Sequence, residues 1–236
     1  WRQARASAAE RDRALEELRR AEITNDLSGF LISEANPDGH PISKSDLLAR
    51  AEAMIEGRFA DTPALQAHML VLLSSRYYEI SDYPPWRRVL KRAHELASRT
   101  SDPRLRAVAA CELAMSVTDD DPERAQALLA EARVELDAQD PAVAAAELAR
   151  CRLDEAIVAS WSGQFERAIA AAEESLRFEA SRPGPSGRGA EALNTLGLAQ
   201  GQLGRFKEAN ATFERLFAVL TAERRTRTRL AATARH

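Results

Sequence analysis

The chain has 236 residues, 45% hydrophobic and 29% charged, with a formal net charge of −3. Near-neutrality excludes a general electrostatic pull toward nucleic acid or anionic membrane, and no apolar run reaches the roughly 18 residues of a membrane span. With only 10 Gly, 10 Pro and 6% aromatics, the chain is dominated by Ala, Leu, Arg and Glu, which lose little freedom in a helix. No strand-like alternation of Val, Ile and Thr and no signal-peptide pattern interrupts that reading. The composition predicts an all-α protein.

In chain order, Leu15, Leu18, Ile23, Leu27, Phe30 and Leu31 line one side of a long helix expected over 3–34. It stops at the turn composition Asn36-Pro37-Asp38-Gly39-His40-Pro41. Ser43 then caps a helix running through Phe59, with Ser45 as the rival cap. Helix pairs follow at 64–80 with 85–99, 103–117 with 122–137, 141–161 with 165–179, and 188–203 with 206–221. Asp102-Pro103, Asp121-Pro122 and Asp140-Pro141 each read as an acidic N-cap followed by proline at the first helical position. The expected organisation is a linker-like or juxtamembrane-like helix over 1–35 and a helical repeat domain over 43–221. An Arg-rich tail or truncated next repeat follows over 222–236.

One phrase recurs along the chain: a short turn, an aromatic or small residue, a charged pair, then an amphipathic helix. It reads Gly163-Gln164-Phe165-Glu166-Arg167-Ala168 and again Gly204-Arg205-Phe206-Lys207-Glu208-Ala209. Weaker forms are Asp121-Pro122-Glu123-Arg124-Ala125 and Asp82-Tyr83-Pro84-Pro85-Trp86. Aligning Trp86, Ala125, Ala168 and Ala209 gives offsets of 39, 43 and 41 residues. The last unit resembles the tetratricopeptide repeat, whose period is about 34 residues. Leu193, Leu196, Gly197, Ala209 and Phe213 fall where that pattern places large, large, small, small and aromatic residues. Gly197 and Ala209 leave room for two helices to approach, and Leu196 and Phe213 fill the gap beside them. Each interval carries surplus residues, visible in the last as the breaker cluster from Arg182 to Gly187. The fold expected from the resemblance is a right-handed superhelical stack of antiparallel helix pairs, preceded by a long N-terminal helix.

A second resemblance covers about the first third of the chain. Phe30-Leu31, Asn36-Pro37-Asp38-Gly39, Pro41-Ile42, Leu47-Leu48-Ala49-Arg50-Ala51, Phe59-Ala60-Asp61-Thr62-Pro63, Leu65-Gln66-Ala67 and Ile80-Ser81-Asp82-Tyr83 carry it. This stretch resembles the segment between membrane span and first repeats in bacterial serine/threonine protein kinases with tetratricopeptide sensor regions. It is also similar to parts of repeat-containing bacterial transcriptional regulators. The resemblance implies a non-catalytic signalling region of a larger protein, because no glycine-rich phosphate loop, His-Arg-Asp loop or Asp-Phe-Gly is present. Trp1, Arg2 and Arg5 suit a chain tethered through an upstream span, and equally a cytoplasmic linker.

No residue constellation predicts catalysis, a cofactor or a metal. His40, His68, His94 and His236 lack ligand spacing, and Asp119-Asp120-Asp121 reads as a turn whose last residue caps a helix. Glu173-Glu174 reads as a solvated face, and Gly184 to Gly189 follows no strand that would make it a phosphate loop. Arg224, Arg225, Arg227, Arg229 and Arg235 read as a frayed terminal helix, with a contact to nucleic acid or lipid as the alternative. Cys111 and Cys151 read as two small core residues; a disulfide would need close Cα atoms and an oxidising compartment.

What remains is a surface. In tetratricopeptide relatives the first helix of each pair lines a groove that takes a peptide or a helix. Projecting those positions onto this register gives Tyr78, Arg150, Leu153, Ile157, Trp161, Asn194, Leu198 and Gln202, with Ala107, Ala110 and Ala114 lending shape. Trp161 is either a groove anchor or core filler at a helix end. Arg150 and Asn194 alone are too few for the two-carboxylate clamp of some relatives. The expected partner is a protein or peptide segment, and self-association through the 3–34 helix is the competing expectation.

Overall fold

The computed structural model describes residues 42–181 and 188–222, together with Asn25 and Gly29. The helix expected over 3–34, the breaker cluster 182–187 and the Arg-rich end lie outside the described residues, those two positions apart. Every described segment is helix or connecting turn. The helices are α1 (Lys44–Arg58), α2 (Pro63–Glu79), α3 (Tyr83–Ala97), α4 (Pro103–Val117), α5 (Pro122–Asp137), α6 (Ala145–Trp161), α7 (Phe165–Ala180), α8 (Arg188–Gln202) and α9 (Phe206–Ala222). The chain divides into two compact units, Trp1–Arg99 and Thr100–His236.

Side-chain capping sets three of these helix starts. The Ser43 hydroxyl accepts from the Asp46 amide at 3.1 Å, which makes Ser43 the cap of α1. Ser45, the rival, donates instead to the Asp82 carboxylate. Asp102 accepts from Arg104 and Leu105 amides at 3.0 and 3.3 Å, and Asp121 from Arg124 at 2.9 Å. The third predicted boundary is corrected. Asp140 accepts from the Ala142 amide, and its carbonyl takes the Val143 and Ala144 amides, so residues after Pro141 close a turn. The helix proper starts at Ala145, with no side-chain cap.

In the first unit α2 packs on both α1 and α3, around Leu48, Ile55, Leu70, Leu73, Val89 and Leu90. The Glu52 carboxylate ties the three helices together. It accepts from the Tyr77 hydroxyl at 3.2 Å and from Arg88 Nη2 at 2.6 Å. Burial, then Glu52, pushes the Tyr77 hydroxyl well above its ordinary range.

The second unit is three antiparallel pairs, α4 with α5, α6 with α7 and α8 with α9. First helix packs on first helix, α4 on α6 on α8, and α7 packs on α8. The first helices therefore form an inner layer. From Ala107 to Ser116 every residue of α4 is buried, the signature of a helix enclosed on all sides. Close approach is bought with small side chains: Ala156, Ala159, Ala168, Ala172 and Ala199 pack around Ile169 and Leu196. A Cβ on Gly197 would lie 2.8 Å from the Phe213 ring, so only glycine fits that ring without a shift. The two cysteines are core residues and are also joined: Cys111 of α4 and Cys151 of α6 form a disulfide, their Cα atoms 5.4 Å apart.

Two of the pair turns share one geometry with the α2–α3 turn. Gly163 and Gly204 both take φ 73°, and Ser81 takes φ 60°. In each, the next amide reaches back to the carbonyl five residues earlier: Gln164 to Ala159, Arg205 to Gln200, Asp82 to Tyr77. That is the Schellman closure, which needs a left-handed residue after the helix end.

Candidate functional site

The predicted groove residues of the second unit lie along two stripes. Arg150, Leu153, Ile157 and Trp161 follow α6 at three- and four-residue steps, and Asn194, Leu198 and Gln202 follow α8 at steps of four. The 41-residue offset between Gly163 and Gly204 makes Leu153 equivalent to Asn194, Ile157 to Leu198 and Trp161 to Gln202. Tyr78 belongs to the first unit, where it is half-buried with its ring 5.2 Å from Trp86 and 6.2 Å from Tyr83.

Burial grades these residues into three levels. Arg150 and Leu153 are buried, and so are Ala107, Ala110 and Ala114. Ile157 and Asn194 are half-buried, whereas Trp161 is 46% exposed, Leu198 is 44% exposed and Gln202 is exposed. Trp161 is thus not core filler. The open apolar surface sits toward the C-terminal ends of α6 and α8.

The buried end of the α6 stripe is a charged cluster. The Arg150 guanidinium pairs with the Glu112 carboxylate of α4, both side chains under a tenth exposed. Asp154, one turn along α6, is equally buried, and its Oδ2 has no hydrogen-bond partner. Burial, reinforced by the Glu112 charge and opposed by Arg150 and Arg188, holds the Asp154 carboxyl well above the usual carboxylate range. Burial likewise lowers the Arg188 guanidinium on α8, with Arg150 repelling and Glu112 and Asp154 attracting it. Arg150 is therefore bound within the protein and is not free to read a ligand.

Sequence reasoning missed Glu112, Asp154 and Arg188. The available signal was local density: Arg150, Arg152, Asp154 and Glu155 fall within six positions of a helix whose remaining residues, Glu147 and Ser160 apart, are apolar. Charges in such a helix must find partners inside the fold. Among the described residues, no group of three or more His, Cys, Asp or Glu is placed to hold a metal ion. No described helix is long and apolar enough to cross a membrane.

With this geometry established, solved structures place the architecture. The crystal structure of BtubC (BKLC) from P. vanneervenii matches with a TM-score of 0.58 at 17% identity, over 92% of this chain and 87% of that one. The chain has a tetratricopeptide-like all-α fold. The crystal structure of the MamA protein matches with a TM-score of 0.44 at 18% identity, over 85% of this chain and 93% of that one. Both are tetratricopeptide-like helical repeat proteins. No family model matches the chain, and no curated protein matches it.

Proposed function

We propose that this chain is a non-catalytic interaction scaffold that binds a protein or peptide segment on the first-helix surface of its second unit. The observation that carries the reading is the exposure of Trp161 and Leu198, 46% and 44%, on neighbouring first helices, next to half-buried Ile157 and Asn194. Tryptophan is enriched among the few residues that carry most of the energy of a protein interface, which makes Trp161 the anchor of this surface. Gln202 and Asn194 supply the polar reading at its edges. The signalling context, a sensor region of a bacterial serine/threonine kinase or related regulator, rests on the first-third resemblance. A disulfide between Cys111 and Cys151 favours the extracytoplasmic side of such a protein, because cytosolic thiols are kept reduced.

The test is affinity capture with the whole chain, followed by quantitative binding of the captured segment. Trp161→Ala and Leu198→Ala should each weaken binding by roughly tenfold or more while leaving the melting temperature nearly unchanged. Full-strength binding in both variants would refute this surface. Light scattering on the same samples separates capture of a partner from self-association.

A further inference from the structure

A second cluster lies on the opposite side of α6, in the cleft between the second helices α5 and α7. Its centre is Glu155, whose side chain is 9% exposed and is approached by three guanidinium groups from three helices. Arg133 of α5 places Nη2 3.1 Å from both carboxylate oxygens. Arg152 of α6 places Nη1 2.8 Å from Oε2 and turns Nε to Glu174 at 2.9 Å. Arg167 of α7 meets Oε1 through Nε and Nη2 at 3.2 and 3.0 Å, and its Nη1 crosses to Gln126 of α5 at 2.7 Å. Burial pushes the Glu155 carboxyl up, but the Arg167 and Arg152 hydrogen bonds and the Arg133 charge outweigh it and hold the group below the usual range. Glu174, expected to be merely solvated, is part of this network and also meets Arg177 at 3.4 Å.

Two features exceed what a helix staple needs. A carboxylate accepts about four hydrogen bonds, and Glu155 is saturated, yet all the bonds of half-exposed Arg133 run through Nη2. Its Nε and Nη1 are left to point elsewhere. Three cations face two carboxylates around an open cleft of about 260 Å³ floored by Ala170 and Ala171. A cavity needs about 10–15 Å³ of such space to hold one water, so the open cleft has room for a tetrahedral oxyanion.

We propose that this cleft binds the phosphate group of a phosphomonoester, gripped by Arg133 and Arg152 while Glu155 fixes the guanidinium planes. Charge-assisted hydrogen bonds from guanidinium groups to phosphate oxygens are among the strong ones. A phosphomonoester carries nearly two negative charges at neutral pH and three acceptor oxygens, so it can take the donors left open by the protein's own pairs, Nε or Nη1 of Arg133 on α5 and Nη2 of Arg152 on α6, at once. A single carboxylate offers no more than Glu155 already does. The same chemistry is offered by a small phosphate compound and by a phosphorylated peptide side chain.

Calorimetry on the full chain, in buffer free of phosphate and sulfate, tests the site. The probes are inorganic phosphate, a blocked alanine pentapeptide with central phosphoserine, and its serine counterpart. Saturable one-to-one binding of the phosphoserine peptide, absent with serine, assigns a phosphorylated segment. Binding of inorganic phosphate alone assigns a small phosphate compound. In either case Arg133→Ala should weaken binding by roughly tenfold to a hundredfold, the worth of a charge-assisted hydrogen bond, and Arg133→Lys should fall between. Trp161→Ala should leave it untouched, which keeps this site distinct from the first-helix surface. Absence of saturable binding by either phosphate probe, or equal binding by the parent, Arg133→Ala and Arg152→Ala, would overturn the proposal.

Discussion

Replacing Arg150 by methionine isolates the ion pair between first helices, because the apolar stem is largely kept while the charge is removed. Glu112 is then left 7% exposed on α4 without its guanidinium partner. Breaking a buried pair from one side costs about 3–5 kcal/mol. Arg188 of α8 still feels the Glu112 charge and offsets part of the loss, so the low end applies, about 3 kcal/mol. For a unit of this size that corresponds to a fall in Tm of roughly 10 °C. Thermal melts of the full chain, followed by far-UV circular dichroism, read the shift directly. The double variant Arg150→Met with Glu112→Leu removes both charges and should recover most of it, since an apolar replacement of a whole buried pair is about neutral. A single variant within about 1 kcal/mol of the parent, or a double variant no better than the single, would refute the reasoning. The result bears on function as well: a charge reversal at Arg150 would destabilise the second unit by breaking its buried pair with Glu112, and lost binding in that variant would not report on the surface.

Three further outcomes follow from particular residues. Because the folded state holds the Asp154 proton above the usual carboxylate range, it binds more protons than the unfolded chain there, and stability falls as pH rises through that window. Asp154→Asn should flatten the slope and raise the melting temperature most at the upper end; an identical slope in both proteins would count against a buried neutral Asp154. Ser81 holds a left-handed φ of 60° where the other two Schellman turns use glycine, so Ser81→Gly should stabilise the first unit by about 0.5–1 kcal/mol, and a lower melting temperature would contradict it. The disulfide spans 40 residues, so the chain-entropy model predicts that reduction or the Cys111→Ser, Cys151→Ser pair costs about 4 kcal/mol; two titratable thiols in the unreduced native chain would show the bond is absent.

The helices and most of their ends were legible because their causes are local. Ser43 caps α1 through an amide three residues away, and Asp102 and Asp121 act within the same reach. Asp140 misled because the same acidic-proline pair also starts a turn, and only the path of the chain beyond Ala144 decides between them. The Gly197 and Phe213 contact was legible for a different reason: the repeat pattern encodes a pair of positions, not a single residue.

The charged clusters were not read, although the repeat register contained a route to them. Glu112 and Arg150 lie 38 residues apart, Cys111 and Cys151 lie 40 apart, and Arg167 and Gln126 lie 41 apart. These separations fall two to five residues short of the 43-residue offset between the two units they join, Ala125 to Ala168. In a stack, each unit touches chiefly its neighbour, so complementary residues about one period apart are candidates for contact before any coordinates exist. What register alone cannot supply is depth. Glu112 and Glu155 are the same residue type on neighbouring first helices, yet Glu112 meets one arginine within the inner layer while Glu155 meets three at the edge of an open cleft. That difference comes from the partners that the neighbouring helices bring, Arg150 alone against Glu112 but Arg133, Arg152 and Arg167 around Glu155, and it separates a charge that fastens two repeats from one that prepares a surface for an anion.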